Sequence, residues 1–543
     1  MRSLPPEKMT KAIHALKEVR LGKAVEAALR DNAWNKAPLH KSALVAAYRQ
    51  LIESGEWEAD EMLLSAIRLK PVRTLSGVST VTVLTKPYPC PGKCIFCPDD
   101  VRMPKSYLPD EPGAMRALEH NFDPYTQVKS RLEALTAVGH PTDKVELLIL
   151  GGTFSSYRRD YEEWFVKRCF EAMNISQSEE SIKNQDGQEE TTMAAVKPIE
   201  HKSLFQVHEL NESAPHRNVG LSIETRPDEI TPDELAWFRL LGVTKVQMGV
   251  QSLDDRILEL NQRSHTVAEA HRAVALLRAA GFKIVLHWMP NLLGATPDSD
   301  RVDFPRLWDG LCPDEIKIYP TQLLENTPLY EFWQHGEYRP YTTDELVALI
   351  ADVKPSIPRY CRVNRIIRDI PSTHVIAGNK RSSLRQDVSL EMVKRGTSCN
   401  CIRCREVRGE KVDPTTLRLD DLTYAADGGE EHFLSFITPK DQITGFLRLS
   451  LPTADSPATY LIDLDGVAII REVHVYGQSL ALGTAQNGAS QHIGLGTRLM
   501  LEADRIARQK GYRRMAVIAA VGARQYYLER GFERGKLYLI KKL

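Results

Sequence analysis

No run of eighteen apolar residues occurs anywhere in the 543-residue chain, which excludes an ordinary membrane-spanning helix. The first twenty residues (MRSLPPEKMTKAIHALKEVR) are basic and helical in pattern, but they lack the apolar centre of a secretory signal. Net charge is missing too. The chain has 71 Lys and Arg against 71 Asp and Glu, so overall charge argues neither for nor against a nucleic-acid partner. Cysteine is scarce, nine in all, too few for a disulfide scaffold of this size. These absences predict a cytoplasmic protein with no membrane partner. The length also excludes a single hydrophobic core and predicts two or more domains.

What is present is unevenly placed. Residues 1–50 hold ten Lys/Arg against four Asp/Glu, which suits either a solvated helix face or a surface that contacts phosphates. Six cysteines fall into two tight groups, Cys90/Cys94/Cys97 and Cys399/Cys401/Cys404. Without an export signal, such groups point to metal sites rather than disulfides. Cys169 and Cys361 lie in apolar stretches and read as core residues.

Helical periodicity fills residues 1–70. Beyond about 75, short apolar strands alternate with helices. The strands are predicted at 79–84, 145–150, 219–223, 243–250, 282–289, 314–319 and 361–367, with helices at 125–138, 160–173, 266–280 and 343–352. That alternation implies an α/β fold, a parallel sheet partly closed into a TIM-like barrel, with chemistry at the C-terminal strand ends. The polar stretch 174–203, rich in Gln, Glu, Ser and Asn, is expected to be a mobile insertion. The predicted division is 1–74 (basic, helical), 75–370 (barrel), 371–430 (a linker around the second cysteine group) and 431–543 (a compact domain of its own).

Cys90-x3-Cys94-x2-Cys97 follows the first barrel strand directly. Three thiolates on a four-iron cluster leave one iron open, whereas a zinc knuckle would need a fourth ligand that the loop does not offer. The spacing resembles that of the radical S-adenosylmethionine superfamily, in which S-adenosylmethionine takes the open iron. The resemblance implies further roles. Phe96 would pack near the adenine, Gly151-Gly152-Thr153 would approach the methionine amino group, Glu224 would bind the ribose and Arg226 the methionine carboxylate. Gln251 ends the next strand and offers an amide. Lys317 lies in a later strand, facing either the barrel interior or solvent.

Cys399-x-Cys401-x2-Cys404 sits among Arg and Lys (394–411) and looks like a structural zinc site, with a second iron–sulfur cluster as the alternative. Its fourth ligand would come from elsewhere, His374 being preferred to Cys312. In the last domain a strand at 468–476, the run Gln491-His-Ile-Gly494-Leu-Gly496, a helix at 497–509 and a strand at 514–519 follow in order. A glycine loop at a helix N-terminus suits phosphate. The order resembles the acetyl-coenzyme-A-binding core of the GNAT acetyltransferases. That resemblance implies coenzyme contacts at Glu472, His474, Val475, Gln491, Gly494, Gly496 and Thr497, with Tyr526 or Tyr527 near the thiol as a proton donor. Residues 478–490 read as either a gate over that site or a plain loop.

A radical barrel joined to an acetyltransferase domain resembles the catalytic third subunit of Elongator, from about Lys70 to the C-terminus. The compact first cluster and the fuller second one are similar to prokaryotic stand-alone members, so Elongator partners are not expected to be required. The resemblance implies carboxymethylation of the wobble uridine of transfer RNA at carbon 5, using acetyl-coenzyme A and a 5′-deoxyadenosyl radical. It implies as cofactors an iron–sulfur cluster, S-adenosylmethionine, acetyl-coenzyme A and zinc, and as partners transfer RNA and an electron donor, with a homodimer left open. Two rivals stand beside it: a protein lysine acetyltransferase, and a transfer-RNA-binding sensor of acetyl-coenzyme A.

Overall fold

A computed structural model describes residues 4–70, 74, 76–175, 202–408, 410, 412–476 and 494–543. The predicted insertion at 174–203 (apart from its ends), the proposed gate at 478–490 and Gln491 therefore lie outside the described residues.

Four helices, Pro6–Arg20, Val25–Asp31, Lys41–Glu53 and Glu61–Ile67, open the chain. They bury a small-residue seam that includes Ala12, Leu16, Leu44 and Val45. Three cations on this region already have partners within it. Lys8 and Arg20 lie over the rings of Trp34 and Trp57, and Lys11 donates to the carbonyl of Ala33.

Seven parallel strands follow in the spatial order of the sequence: β1 (Ser79–Leu84), β2 (Lys144–Leu150), β3 (Arg217–Thr225), β4 (Lys245–Gln251), β5 (Lys283–Trp288), β6 (Glu315–Ile318) and β7 (Arg362–Ile366). Each overlaps its predicted strand. The sheet is open, a half-barrel, because β1 and β7 do not pair. One face packs on helices: Val145, Leu147 and Ile149 of β2 are buried with Val128, Leu132 and Leu135 of helix Pro124–Ala137. Alternation sends the other set inward. Glu146, Lys245, Gln247, Lys283, His287, Glu315 and Lys317 all line one cavity. A closed barrel would fill that space with aliphatic side chains. Here it is polar and open.

The second sheet runs β13-β14-β12-β11-β10-β9-β8. Its strands are β8 (Arg418–Ala426), β9 (Gly429–Ile437), β10 (Ile443–Leu451), β11 (Ala468–Val475), β12 (Arg514–Val517), β13 (Glu533–Arg534) and β14 (Leu539–Lys542). The predicted boundary at 430/431 is corrected, since it cuts the β8–β9 hairpin, which pairs from Arg418↔Ile437 to Ala426↔Gly429. The charged first strand (RLDDLTYAA) hid the hairpin from a search for apolar runs.

A buried ion network joins the sheets. Arg471 of β11 donates both terminal nitrogens to Asp314, at 2.7 and 2.8 Å, and also reaches Glu431 at 2.7 Å. Lys283 of β5 lies 2.7 Å from Glu315 and 2.6 Å from Glu472 of β11. Burial pushes the Asp314 carboxyl up, but Arg471 and Arg448 outweigh it and hold the group well below the usual carboxylate range. No helix among the described residues is long and apolar enough to cross a membrane.

Candidate functional site

The cavity of about 2130 Å³ runs from the first cysteine loop, through the half-barrel, to β11 and the tyrosines that follow β12. At the cysteine end, Cys90, Cys94, Cys97 and Phe96 all line it. Burial and the neighbouring Cys94 push the Cys97 thiol up to about 11, so this group becomes a thiolate at neutral pH only when a metal replaces its proton. Arg263 donates to the Cys94 sulfur at 3.2 Å and to the carbonyl of Gly249 at 2.5 Å. Thr153 Oγ1 lies 3.5 Å from the Cys90 sulfur.

The residue pairs predicted at later strand ends converge on the same space. Gly151 and Gly152 have φ of +143° and +90°, which favour glycine. A side chain at Gly151 would come within 1.9 Å of Thr85 Oγ1. Glu224 accepts from the Tyr107 hydroxyl at 2.7 Å and lies 3.6 Å from Lys317 Nζ. Lys317 therefore faces the cavity, not solvent. Arg226 is clamped by Asp228 at 2.7 and 3.0 Å, yet its Nη1 is buried without a partner, as are Gln251 Oε1 and His287 Nε2. Buried polar atoms left unpaired are costly unless a ligand completes them. Three such atoms around three thiols suit a polar cofactor.

The sulfur atoms of the two cysteine groups are arranged differently. Cys399, Cys401 and Cys404 are the only group of three or more His, Cys, Asp or Glu among the described residues whose ligand atoms all lie within 4.8 Å of one another. Thiolates on one tetrahedral zinc stand about 3.8 Å apart, given bonds of about 2.3 Å. The second group thus matches a single ion. The first is more open, as three sulfurs on three different irons must be.

Neither proposed fourth ligand joins the second group. His374 Nε2 lies 2.5 Å from Asp110 Oδ2, and Cys312 donates to the carbonyl of Trp308 at 3.3 Å. The expectation for His374 is corrected on that ground: the loop after β7 brings His374 to Asp110 rather than to the three thiols. Around the three thiols stand Arg385 and Arg403 instead. Burial and the like charge of Arg403 push Arg385 down to about 10.

At the far end, β11 and β12 pair only over Ala468↔Met515, Ile469↔Ala516 and Ile470↔Val517. From Arg471 to Val475 the β11 backbone has no strand partner on that side, so its amides face a cleft. Glu472 was expected to touch coenzyme. Its carboxylate instead bonds Lys283 and Arg448, which leaves only its backbone for a ligand. His474 Nε2 is buried and unpaired, its ring stacked on Phe446 at 5.6 Å. Burial lowers it to about 4, so the ring is neutral. Val475, Tyr526 and Tyr527 also line the cavity. Gly494, at φ +93°, caps helix Leu495–Gln509, with Thr497 in the first turn. A side chain at Gly496 would come within 2.6 Å of the Tyr526 hydroxyl, which places Tyr526 over the helix start and leaves Tyr527 the deeper of the two. Arg263, Tyr107 and His287 were not foreseen, since loops and strand positions without a turn signature carry no local mark of what they face.

Comparison with known proteins fits this geometry. Residues 88–303 match the radical SAM superfamily, and residues 313–394 match the Radical_SAM C-terminal domain. The tRNA uridine(34) acetyltransferase of Methanocaldococcus infernus is 40% identical over 511 residues, covering 91% of this chain and 91% of that protein. That of Dehalococcoides mccartyi is 41% identical over 480 residues, covering 87% of this chain and 99% of its own. Human Elongator complex protein 3 is 33% identical over 503 residues, covering 89% and 87%. The solved structure of archaeal Methanocaldococcus infernus Elp3, with residues 1–46 deleted, is 36% identical. It superposes with a TM-score of 0.70 over 86% of this chain and 100% of that one.

Proposed function

The chain belongs to the Elongator complex protein 3 family of radical S-adenosylmethionine enzymes, and on that premise we propose that it carboxymethylates the wobble uridine of transfer RNA at carbon 5 with acetyl-coenzyme A. The observation that carries this reading is the single cavity. It joins the cysteine loop to the open edge of β11, so one continuous space would give a radical source and an acyl donor access to the same substrate.

Cys90, Cys94 and Cys97 would hold a four-iron cluster, whose bound S-adenosylmethionine supplies a carbon-centred radical. Phe96, Gly151, Gly152, Thr153, Glu224, Arg226 and Gln251 would hold the rest of that cofactor. The region 431–543, extended back to include β8, serves in this reading as a GNAT-type domain. Its β11 amides at His474 and Val475 would meet the pantetheine arm as an added strand does. Gly494, Gly496 and Thr497 would meet the phosphates. Burial and the adjacent Tyr526 keep the Tyr527 phenol protonated, which suits it to give its proton to a departing thiolate. Lys317, beside Glu224, would orient the uracil. Cys399, Cys401 and Cys404 would hold a structural zinc in the segment 371–417. The helical region 1–74 and the cations near 394–411 would contact transfer RNA.

The test is anaerobic turnover of the reconstituted chain with reductant, S-adenosylmethionine, acetyl-coenzyme A and transfer RNA, read by nucleoside mass spectrometry. Carboxymethyluridine is expected, abolished by Cys94→Ala and lowered roughly 10²-fold by Tyr527→Phe. Acetylated peptide made equally well by Cys94→Ala would overturn the reading in favour of a protein acetyltransferase.

A further inference from the structure

Three arginines crowd the first cysteine loop, and their charges are met unequally. Arg226 packs over Gly92, where an added side chain would come within 1.9 Å of its Nη1. Its charge is met by Asp228 at 2.7 and 3.0 Å. Arg368 approaches from the Cys97 side, and its charge is met by Glu111 at 2.7 Å. Arg263 differs. It is half-buried and lines the cavity. Its hydrogen-bond partners are the Cys94 sulfur at 3.2 Å, the carbonyl of Gly249 at 2.5 Å and His265 Nδ1 at 3.2 Å. Among the described residues no carboxylate pairs with it, and its Nε is buried without a partner. The only one of the three with an uncompensated charge is the one that rests on a cysteine sulfur.

Backbone bonds fix where Arg263 stands. Helix Asp255–Leu260 opens on Asp254, whose carboxylate accepts from the amides of Arg256 and Ile257 at 2.9 and 3.3 Å. It closes through Gln262 at φ +52°, which returns the Arg263 amide to the carbonyl of Leu258 at 2.9 Å. The carbonyl of Asn261 accepts from the Ile95 amide at 3.3 Å, so this turn is bonded to the residue that follows Cys94. The donors near Cys90 are neutral by contrast, the Gly92 amide at 3.4 Å and Thr153 Oγ1 at 3.5 Å. A neutral thiol is a weak acceptor. A guanidinium gains most from a sulfur that carries negative charge. Three thiolates on a four-iron cluster carry such charge, and an added electron increases it. A fixed positive charge on one sulfur therefore stabilises the reduced form more than the oxidised one, and more strongly where water is excluded.

We propose that Arg263 is a positioning residue that raises the reduction potential of the cluster, acting through the Cys94 sulfur. The inference rests on the reading that the first cysteine group holds a four-iron cluster. One electron enters the cluster and its donor is oxidised. No bond forms or breaks at Arg263, which keeps its proton throughout.

In the test, the cluster-loaded full chain is titrated anaerobically with dithionite in the presence of redox mediators. The reduced cluster is counted by electron paramagnetic resonance, beside iron analysis. Arg263→Leu should keep its iron and make reduction roughly tenfold less favourable, a potential lower by about 59 mV for one electron. Arg263→Lys, which keeps the charge, should recover most of that shift. Arg263→Gln, which keeps a donor without charge, should fall between the other two variants. A potential for Arg263→Leu within twofold of wild type, about 18 mV, with iron retained, would overturn the proposal. So would loss of iron from all three variants, which would make Arg263 a structural support of the loop. A wild type that yields no reducible cluster would overturn the cluster reading, and this inference with it. A wild type that reduces normally leaves that reading standing whatever the variants do.

Discussion

The two cysteine groups look alike in sequence, three cysteines within eight residues and three within six, yet the fold uses them differently. Cys399, Cys401 and Cys404 draw their sulfurs within 4.8 Å of one another, close enough for one ion and held by a short helix, Ile402–Arg405, beside β7. Cys90, Cys94 and Cys97 do not draw together in this way; they stand on an irregular loop, with Cys94 and Cys97 packed among Ile257, Leu292 and Leu323 and with Arg263 on the Cys94 sulfur. The comparison teaches that spacing along the chain names a ligand set without naming the metal. The distances between sulfurs do that, and they follow from whether the loop is extended or wound.

The sharpest break in the comparison is Cys94→Ala. It should remove nearly all iron and abolish product, with thermal stability close to wild type, as checked by iron analysis and calorimetry. Cys401→Ser should do the reverse: zinc is lost, iron is kept, and the melting temperature falls by roughly 10 °C or more, because a structural ion contributes directly to folding. If Cys401→Ser lost iron and kept stability, the assignment of the two groups would be inverted. The joint between the two sheets comes next. Asp314→Asn removes the carboxylate that Arg471 and Arg448 share, leaves Arg471 buried with Glu431 alone, and should cost about 3–5 kcal/mol by denaturant unfolding. The Asp314 carboxyl is depressed in the folded state, so its contribution is complete above the unfolded value of about 4 and is lost as pH falls through the lower folded value. Asp314→Asn should therefore flatten the acid limb of the stability profile. The smallest effect is expected of Arg263→Leu, roughly tenfold in turnover with iron content retained, since it removes one charge-assisted bond to a cluster ligand.

Much of the half-barrel was legible because each strand carries its own signal. STVTVL and KVELLIL read as strands wherever they stand, and the prolines Pro87 and Pro89 after the first and Gly151-Gly152 after the second mark the turns that follow. The β8–β9 hairpin was not legible, because RLDDLTYAA is too charged to resemble a core strand and is held by its neighbour rather than by its own pattern. His374 misled for a related reason. A histidine near a cysteine group in sequence says nothing about which side of a strand the chain returns on, and here it returns to Asp110.

By itself the sequence determined the seven half-barrel strands and the two thiol sets, since each depends on local periodicity or turn chemistry. Only the tertiary structure decided that Glu146, Lys245, Lys283 and Lys317 face one open polar cavity, that β11 turns its unpaired edge toward it, and that Arg263 from a distant loop rests on a cysteine sulfur. These are contacts between residues far apart in the chain. They exist because buried charge must find a partner and apolar faces must be covered, and neither demand is written in any one segment.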